Sequence, residues 1–291
     1  MTSKKAPRKS VKDPAPAAGS LLKPFTIYDV GYATDVGATA HYADPRYYSK
    51  TYGNRRHDVD YYVQRARLAK GPVLEYGVGN GRIALHMARA GVAVTGVDLS
   101  RAMLADFERR LALEPRQVRA RVKLEQGDMR EVRLERRFPL VIAPFNAILH
   151  LYDRRDVEAF LLRVREHLAE DGQFVFDFSI PQPEDLIRDP ERAFATTPLE
   201  DGETGEPVSY AERFEYDPLR QLLLVRMELE HKNSGRKSTI PLTHRQYFPR
   251  EMEALLHYNG FREILFTADF TDQPADRHVD SLVVACRSTP V

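Results

Sequence analysis

Apolar and polar positions along this chain recur with two periods, and the alternation between them sets out most of its elements. Over residues 58–70, Val59, Tyr62, Val63 and Ala66 fall on one face while Arg65, Arg67 and Lys70 gather toward the far end, where cations suit the helix dipole. That pattern predicts a helix, ended by Gly71-Pro72. A strand–helix alternation follows: VLEYG (73–77) as strand, RIALHMARAG (82–91) as helix closed by Gly91, and VAVTGVD (92–98) as strand. Next come a helix over 100–113 with Ser100 as N-cap, then strands RVKLEQGD (121–128) and PLVIAPF (139–145). A helix over 156–169 carries Val157, Phe160, Leu161, Val164 and Leu168 on one stripe and leads into strand GQFVFDF (172–178). Strands alternating with helices at this spacing imply right-handed crossovers and a mostly parallel sheet covered on both faces.

Beyond Asp177 the pattern changes. Pro181, Pro183, Pro190 and Pro198 break a long connection into three strand-like runs, FEYDP (214–218), QLLLVRMELEHKN (221–233) and RKSTIPLTHRQYF (236–248). Turns at Asp217-Pro218 and Ser234-Gly235 separate them, so a small antiparallel sheet is predicted inside the main fold. A helix over 249–258, closed by Asn259-Gly260, and strands at 261–270 and 281–288 finish the pattern. At the other end, Tyr28, Tyr32, Tyr42, Tyr47, Tyr48 and Tyr52 interleave with Gly, Asp and Pro, which suits a short-helical cap whose phenols could line a pocket. The expected division is a basic disordered tail over 1–20, a Tyr-rich cap over 21–55, a core over 56–180 and 248–291, and an inserted lid over 181–247.

Composition narrows the function. With 291 residues and 43 % hydrophobic positions the chain can bury a real core. Its 43 basic and 42 acidic residues are unevenly spread: Lys4, Lys5, Arg8, Lys9, Lys12 and Lys23 precede residue 25 with Asp13 as the one acid, leaving 37 basic and 41 acidic elsewhere. An acidic body argues against nucleic-acid binding, and the Pro-, Ala- and Lys-biased tail argues for disorder. The single Cys286 excludes an internal disulfide and a thiolate zinc cluster, and the histidines show no ligand spacing, so no metal is expected. Without an apolar run of membrane-spanning length or a secretory pattern, a cytoplasmic protein is expected, monomeric or homodimeric.

The chemistry concentrates where strands end. Glu75 closes the first strand, and Gly77, Gly79 and Gly81 form the turn that opens a helix, where backbone can approach a ligand and free N–H groups point outward. The spacing is GxGxG, with Arg82 where a dinucleotide fingerprint would place its third glycine, which counts against NAD. Asp98 closes the second strand, where a carboxylate can take both hydroxyls of a ribose, and Asp128 closes the third, where it can accept from an exocyclic amine beside the Met129 N–H.

VLEYGVGNGR, TGVDLS, QGDM and APFNAILHL, in that order and spacing, make the chain resemble a class I S-adenosylmethionine-dependent methyltransferase of the bacterial small-molecule type from about Arg56 to Arg287. The resemblance implies a Rossmann-like α/β fold with a seven-stranded, mostly parallel sheet and an antiparallel last strand, with S-adenosyl-L-methionine as cofactor. It further implies that Glu75 holds the amino group of the methionine moiety on Gly77 and Gly79, that Asp98 binds the ribose, and that Leu99 packs on the adenine. Asp128 and Met129 would read the adenine edge, Asn146 would mark the loop beside the sulfonium, and Arg56 would meet the carboxylate. Methyl transfer from a sulfonium asks mainly for placement and desolvation. If a base is needed, His150 after the fourth strand is the candidate, with His244 and Tyr247 in the inserted sheet behind it. The acceptor is expected to be a small molecule attacked at N or O, with no nucleic acid or membrane partner. A non-catalytic cofactor-binding regulator is the alternative, and a nucleic-acid or protein methyltransferase is disfavoured because Ala-Pro-Phe-Asn stands where Asn/Asp-Pro-Pro-Tyr would.

Overall fold

The structure is a computed structural model that describes residues 30–288 apart from 197, 202, 203, 277 and 278. The basic tail, Tyr28 and the start of the cap lie outside the described residues. The cap comprises α1 (Val30–Thr39), a 3-10 turn (Ala40–Tyr42) and α2 (Pro45–Tyr52). The alternating region follows as α3 (His57–Leu68), β1 (Val73–Tyr76), α4 (Ala84–Arg89), β2 (Val94–Asp98), α5 (Arg101–Ala112), α6 (Arg116–Arg119), β3 (Val122–Gln126) and β4 (Phe138–Ala143). A second 3-10 turn (Ala147–His150) leads to α7 (Arg154–His167), β5 (Leu168–Ser179) and α8 (Pro183–Leu186). Then come β6 (Phe194–Ala195), β7 (Leu199–Glu200), β8 (Pro207–Asp217), β9 (Leu222–His231) and β10 (Lys237–Arg245), and finally α9 (Pro249–Tyr258), β11 (Phe261–Ala268) and β12 (Ser281–Ser288).

Seven strands form the main sheet in the order β11-β12-β5-β4-β1-β2-β3. The β4-β1, β1-β2, β2-β3 and β4-β5 pairs are parallel, and β12 runs antiparallel to both β5 and β11, as the α/β reading with an antiparallel last strand predicts. Alternate residues of β1 serve two cores. Leu74 and Tyr76 pack with Phe160 and Val164 of α7 and Met252 of α9, whereas Val73 packs with Val59 and Tyr62 of α3 and Leu85 of α4. Truncating a fully buried aromatic here, such as Phe160, should cost about 3–5 kcal/mol. Among the described residues no helix is long and apolar enough to cross a membrane.

Several elements differ from the sequence pattern: α6 and α8 lie outside the predicted elements, and β8 begins at Pro207, before the FEYDP run. Helix α7 begins at Arg154, earlier than its apolar stripe, because the Asp153 carboxylate accepts the Asp156 N–H at 3.0 Å and caps the helix there. The second sheet has five strands, β10-β9-β8-β6 with β7 on β8, where three were predicted, since two-residue strands are too short to show alternation. This sheet lies against the cap: Gly37 lets α1 approach β10 so closely that a Cβ would fall 1.9 Å from Thr243 Oγ1. Lys50 of α2 donates to the Glu200 carbonyl at 2.8 Å, and the Tyr47 hydroxyl reaches Met227 Sδ at 3.6 Å.

Candidate functional site

Glu75 at the end of β1 is 2 % exposed, and its Oε2 has no hydrogen-bond partner. Burial drives its carboxyl pKa well above the ordinary value; Arg82 opposes this while Asp98 and Asp58 add to it. Such a group calls for a cation or donor from outside the chain. Gly77 (φ +67°) and Gly79 (φ +54°) carry the turn beside it, and a Cβ on Gly77 would come 3.2 Å from the Ala147 Cβ. Asp98 pins the same turn: Oδ2 accepts the Gly79 N–H and Oδ1 the Ser100 N–H, both at 2.7 Å. Burial raises the Asp98 pKa, with these two backbone bonds in opposition. Leu99 beside it is 56 % exposed, an apolar side chain open to a flat ligand.

Asp128 is less free than its position in the sequence suggests. Arg130 grips it through Nε at 2.9 Å and Nη2 at 2.6 Å and also reaches Asp156 at 2.5 Å, so an adenine amine would share this carboxylate with a guanidinium. Burial works to raise the Asp128 pKa, but the Arg130 bonds outweigh it and bring the pKa down. Met129 packs against the core from its edge. Arg56 is exposed at the N-terminus of α3, 3.4 Å from His86 Nε2, and lines a cavity of about 300 Å³ with Tyr48, Asn80, Arg82 and Arg110. Arg82 is the buried cation there: it is 8 % exposed, bound to Asp58 at 2.5 and 3.0 Å, and keeps an unpartnered Nε.

After β4, Phe145 (φ +58°) and Asn146 (φ +62°) are consecutive non-glycine residues in the left-handed region, a conformation costing about 1–3 kcal/mol each. Asp177 at the end of β5 holds them, accepting the Phe145 N–H at 2.8 Å, the Asn146 N–H at 3.3 Å and the Tyr62 hydroxyl at 2.7 Å. Asn146 in turn accepts the Ser179 N–H at 2.7 Å. The Phe145 ring faces Tyr52 and Tyr48 of the cap at 5.0 and 6.0 Å, with the Arg82 guanidinium 4.7 Å from its centroid. Sequence reasoning passed over Asp177 and Arg82. The rule that singled out Glu75, Asp98 and Asp128, an acid at the carboxyl end of a parallel strand, also selects Asp177.

His150 meets the cap and the inserted sheet together. Tyr152 donates to the Thr243 carbonyl at 3.1 Å, so at its 3.4 Å contact it can only accept from His150 Nδ1. His150 Nε2 is then the unprotonated nitrogen, and it accepts the Tyr42 hydroxyl at 2.8 Å. Burial lowers the His150 pKa to about 4, aided by His41, so the ring is neutral. The Tyr42 oxygen keeps its lone pairs for another donor. His244 lies with its ring 5.1 Å from that of His150, its pKa also driven down by burial. Tyr247 stands apart from this group: it is 2 % exposed and its hydroxyl donates to the Leu151 carbonyl, a bond inside the core.

Residues 73–172 match a family model described as a methyltransferase domain. The dTDP-3-amino-3,6-dideoxy-alpha-D-glucopyranose N,N-dimethyltransferase of Streptomyces fradiae is 33 % identical over 128 residues, 44 % of this chain and 47 % of that enzyme, so the match spans about half of that relative's length. A putative methyltransferase of Geobacillus sp. (strain WCH70) is 30 % identical over 207 residues, covering 69 % of this chain and 78 % of the relative. Among solved structures, the CcbJ methyltransferase of Streptomyces caelestis superposes with a TM-score of 0.71 at 26 % identity over 86 % of this chain and 98 % of that one. The glycopeptide N-methyltransferase MtfA complexed with (S)-adenosyl-L-methionine gives 0.54 at 26 % identity over 78 % and 87 %. A glycine turn flanked by buried strand-end carboxylates on this sheet order, together with these relatives, establishes that the chain belongs to the class I S-adenosylmethionine-dependent methyltransferases.

Proposed function

We propose that this chain transfers a methyl group to the nitrogen of a small-molecule amine. The observation that carries the cofactor side is the orphan Glu75 oxygen, buried beside the glycine turn and within the influence of Asp98 and Arg82. These groups fit the cofactor: Glu75 suits its ammonium, the unpartnered Arg82 Nε or exposed Arg56 its carboxylate, Asp98 its ribose, and Leu99, Asp128 and Met129 its adenine. When bound, S-adenosylmethionine supplies a methyl group on a sulfonium that leaves readily as a thioether. The chain's part is placement. Gly77 lies against Ala147, and Tyr52 of the cap packs on Phe145; on this reading the cap and inserted sheet would close over the loop and exclude water.

On the acceptor side, Tyr42 is the group we place against the nucleophile. Its proton is committed to His150, so its oxygen accepts an N–H and turns the nitrogen lone pair outward. His150 would act through Tyr42 and His244 would shape the crevice, while Tyr247 holds the structure beneath. The choice of nitrogen is supported by the N-methyltransferases among the relatives. A screen of amines, alcohols, phenols and thiols, with dTDP-3-amino-3,6-dideoxyglucose among the amines, read out as released S-adenosylhomocysteine, tests the proposal. Turnover confined to amines is the expected outcome. Preferred methylation of RNA or intact protein, or cofactor binding without turnover of any acceptor, would overturn it.

A further inference from the structure

Asp177 is 2 % exposed, yet each of its hydrogen-bond donors is neutral: a phenol and two backbone amides. The charge that bears on it is another acid, Asp58. Holding two N–H groups and one O–H needs acceptor oxygens, and an asparagine carbonyl could supply one without burying a charge. A carboxylate kept in that place costs free energy unless a cation comes near it. The surrounding charges point the same way. Glu75 has an orphan oxygen, Asp98 among the described residues accepts the Gly79 and Ser100 amides, and the nearby cations Arg82 and Arg55 are turned to Asp58. All three acids, Asp177, Glu75 and Asp98, end parallel strands of the main sheet, and none is in an ion pair among the described residues.

We propose that Asp177 is a positioning residue with a second role. Through the turn it holds, its charge makes the site prefer a ligand that is cationic at the reacting centre over one that is neutral there. This deepens the methyltransferase reading and rests on it. The cofactor carries a sulfonium before transfer and a thioether afterwards, so the same field favours the charged donor and releases the spent one.

The test measures binding of two ligands to the full chain by calorimetry. Sinefungin carries an ammonium where the sulfonium stands, and S-adenosylhomocysteine is neutral at that point. Asp177→Asn keeps the size and one acceptor oxygen. It is expected to lose about tenfold more affinity for sinefungin than for S-adenosylhomocysteine. Equal losses for the two ligands would show a clamp without electrostatic selection and overturn the proposal. Tyr62→Phe removes a hydrogen bond that favours the ionised Asp177 carboxylate, so at pH 7 it should shift the ratio about twofold toward S-adenosylhomocysteine; an unchanged ratio, or one shifted toward sinefungin, overturns the proposal even if Asp177→Asn fails to fold. Failure of the parent chain to bind either ligand would instead remove the cofactor reading on which the inference stands.

Discussion

The glycine turn and the crevice proposed for the acceptor are assembled in opposite ways. From Glu75 to Asp98 the turn is one continuous stretch, a strand, a bend, a helix and a strand, whose parts lock each other through bonds such as Asp98 to Gly79 and Ser100. The crevice draws Tyr42 from the cap, His150 and Tyr152 from the loop after β4, and Thr243 and His244 from the inserted sheet. A contiguous site can keep its shape while the crevice changes with any of three segments. The cofactor half and the acceptor half should therefore respond to mutation separately.

The largest effect expected follows from breaking the first half. Asp98→Ala removes the proposed ribose contact and leaves the Gly79 and Ser100 amides unpaired, an expected loss of about 3 kcal/mol, or about a hundredfold in S-adenosylhomocysteine affinity by calorimetry. Tyr42→Phe sharpens the contrast. It should leave that affinity within about threefold while lowering kcat on an amine acceptor by about tenfold, since one hydrogen bond to the nucleophile is worth about 1 kcal/mol or more. If both variants weaken cofactor binding alike, the two halves are not separable. Gly37→Ala strikes the seam between cap and inserted sheet, where its Cβ would collide with Thr243; about 1–3 kcal/mol of stability should be lost, seen as a lower Tm.

A smaller and pH-dependent effect belongs to the crevice. Burial lowers His41 and His150 to about 4, below their unfolded value of 6.5, so the folded chain binds fewer protons than the unfolded one between those limits. The stability they contribute is present above pH 6.5 and is lost as pH falls toward 4. Asp177, raised to about 6 by burial, acts in the opposite sense, losing stability as pH rises from 3.8 to 6, and Glu75 and Asp98, also raised by burial, act with it, so the histidine share is read by removing one histidine. For His41, 2 % exposed, the loss at pH 5 is about 2 kcal/mol, so denaturation midpoints at pH 5 and 7.5 should differ, and by less in His41→Asn. The smallest effect expected is at Arg56, whose exposed guanidinium should matter less than threefold to S-adenosylhomocysteine binding in Arg56→Ala, against about tenfold for Arg82→Lys.

Much of this was legible in the sequence because it is local. Strand alternation, the helix stripe of Val157, Phe160, Leu161 and Val164, the Ser100 cap and the acids at strand ends are set by neighbours in the chain, and helix α9 runs over the predicted residues. Other features arise only when distant segments meet. The left-handed pair at Phe145-Asn146 follows from Asp177, thirty-one residues from Asn146 in the chain. The Tyr42-His150 bond joins residues whose spacing carries no signal, whereas the engagement of Asp128 by Arg130, two positions along, is local but competes with the role that QGDM suggests. Two-residue strands such as β6 and β7 have no period to detect.

The two sheets also imply an order of events during folding. In the inserted sheet, β8 pairs with β9 and β9 with β10 across short turns, so its contacts are local and can close early. The main sheet needs Ser281 beside Ser179, about a hundred residues apart, and that pairing must wait until the inserted segment has been made and set aside. A ribosome-bound chain would thus carry a finished small sheet while β5 still lacks its antiparallel neighbour. The fold stores its inserted sheet as a compact, prefabricated loop, and seals its central sheet last, with the eight-residue β12.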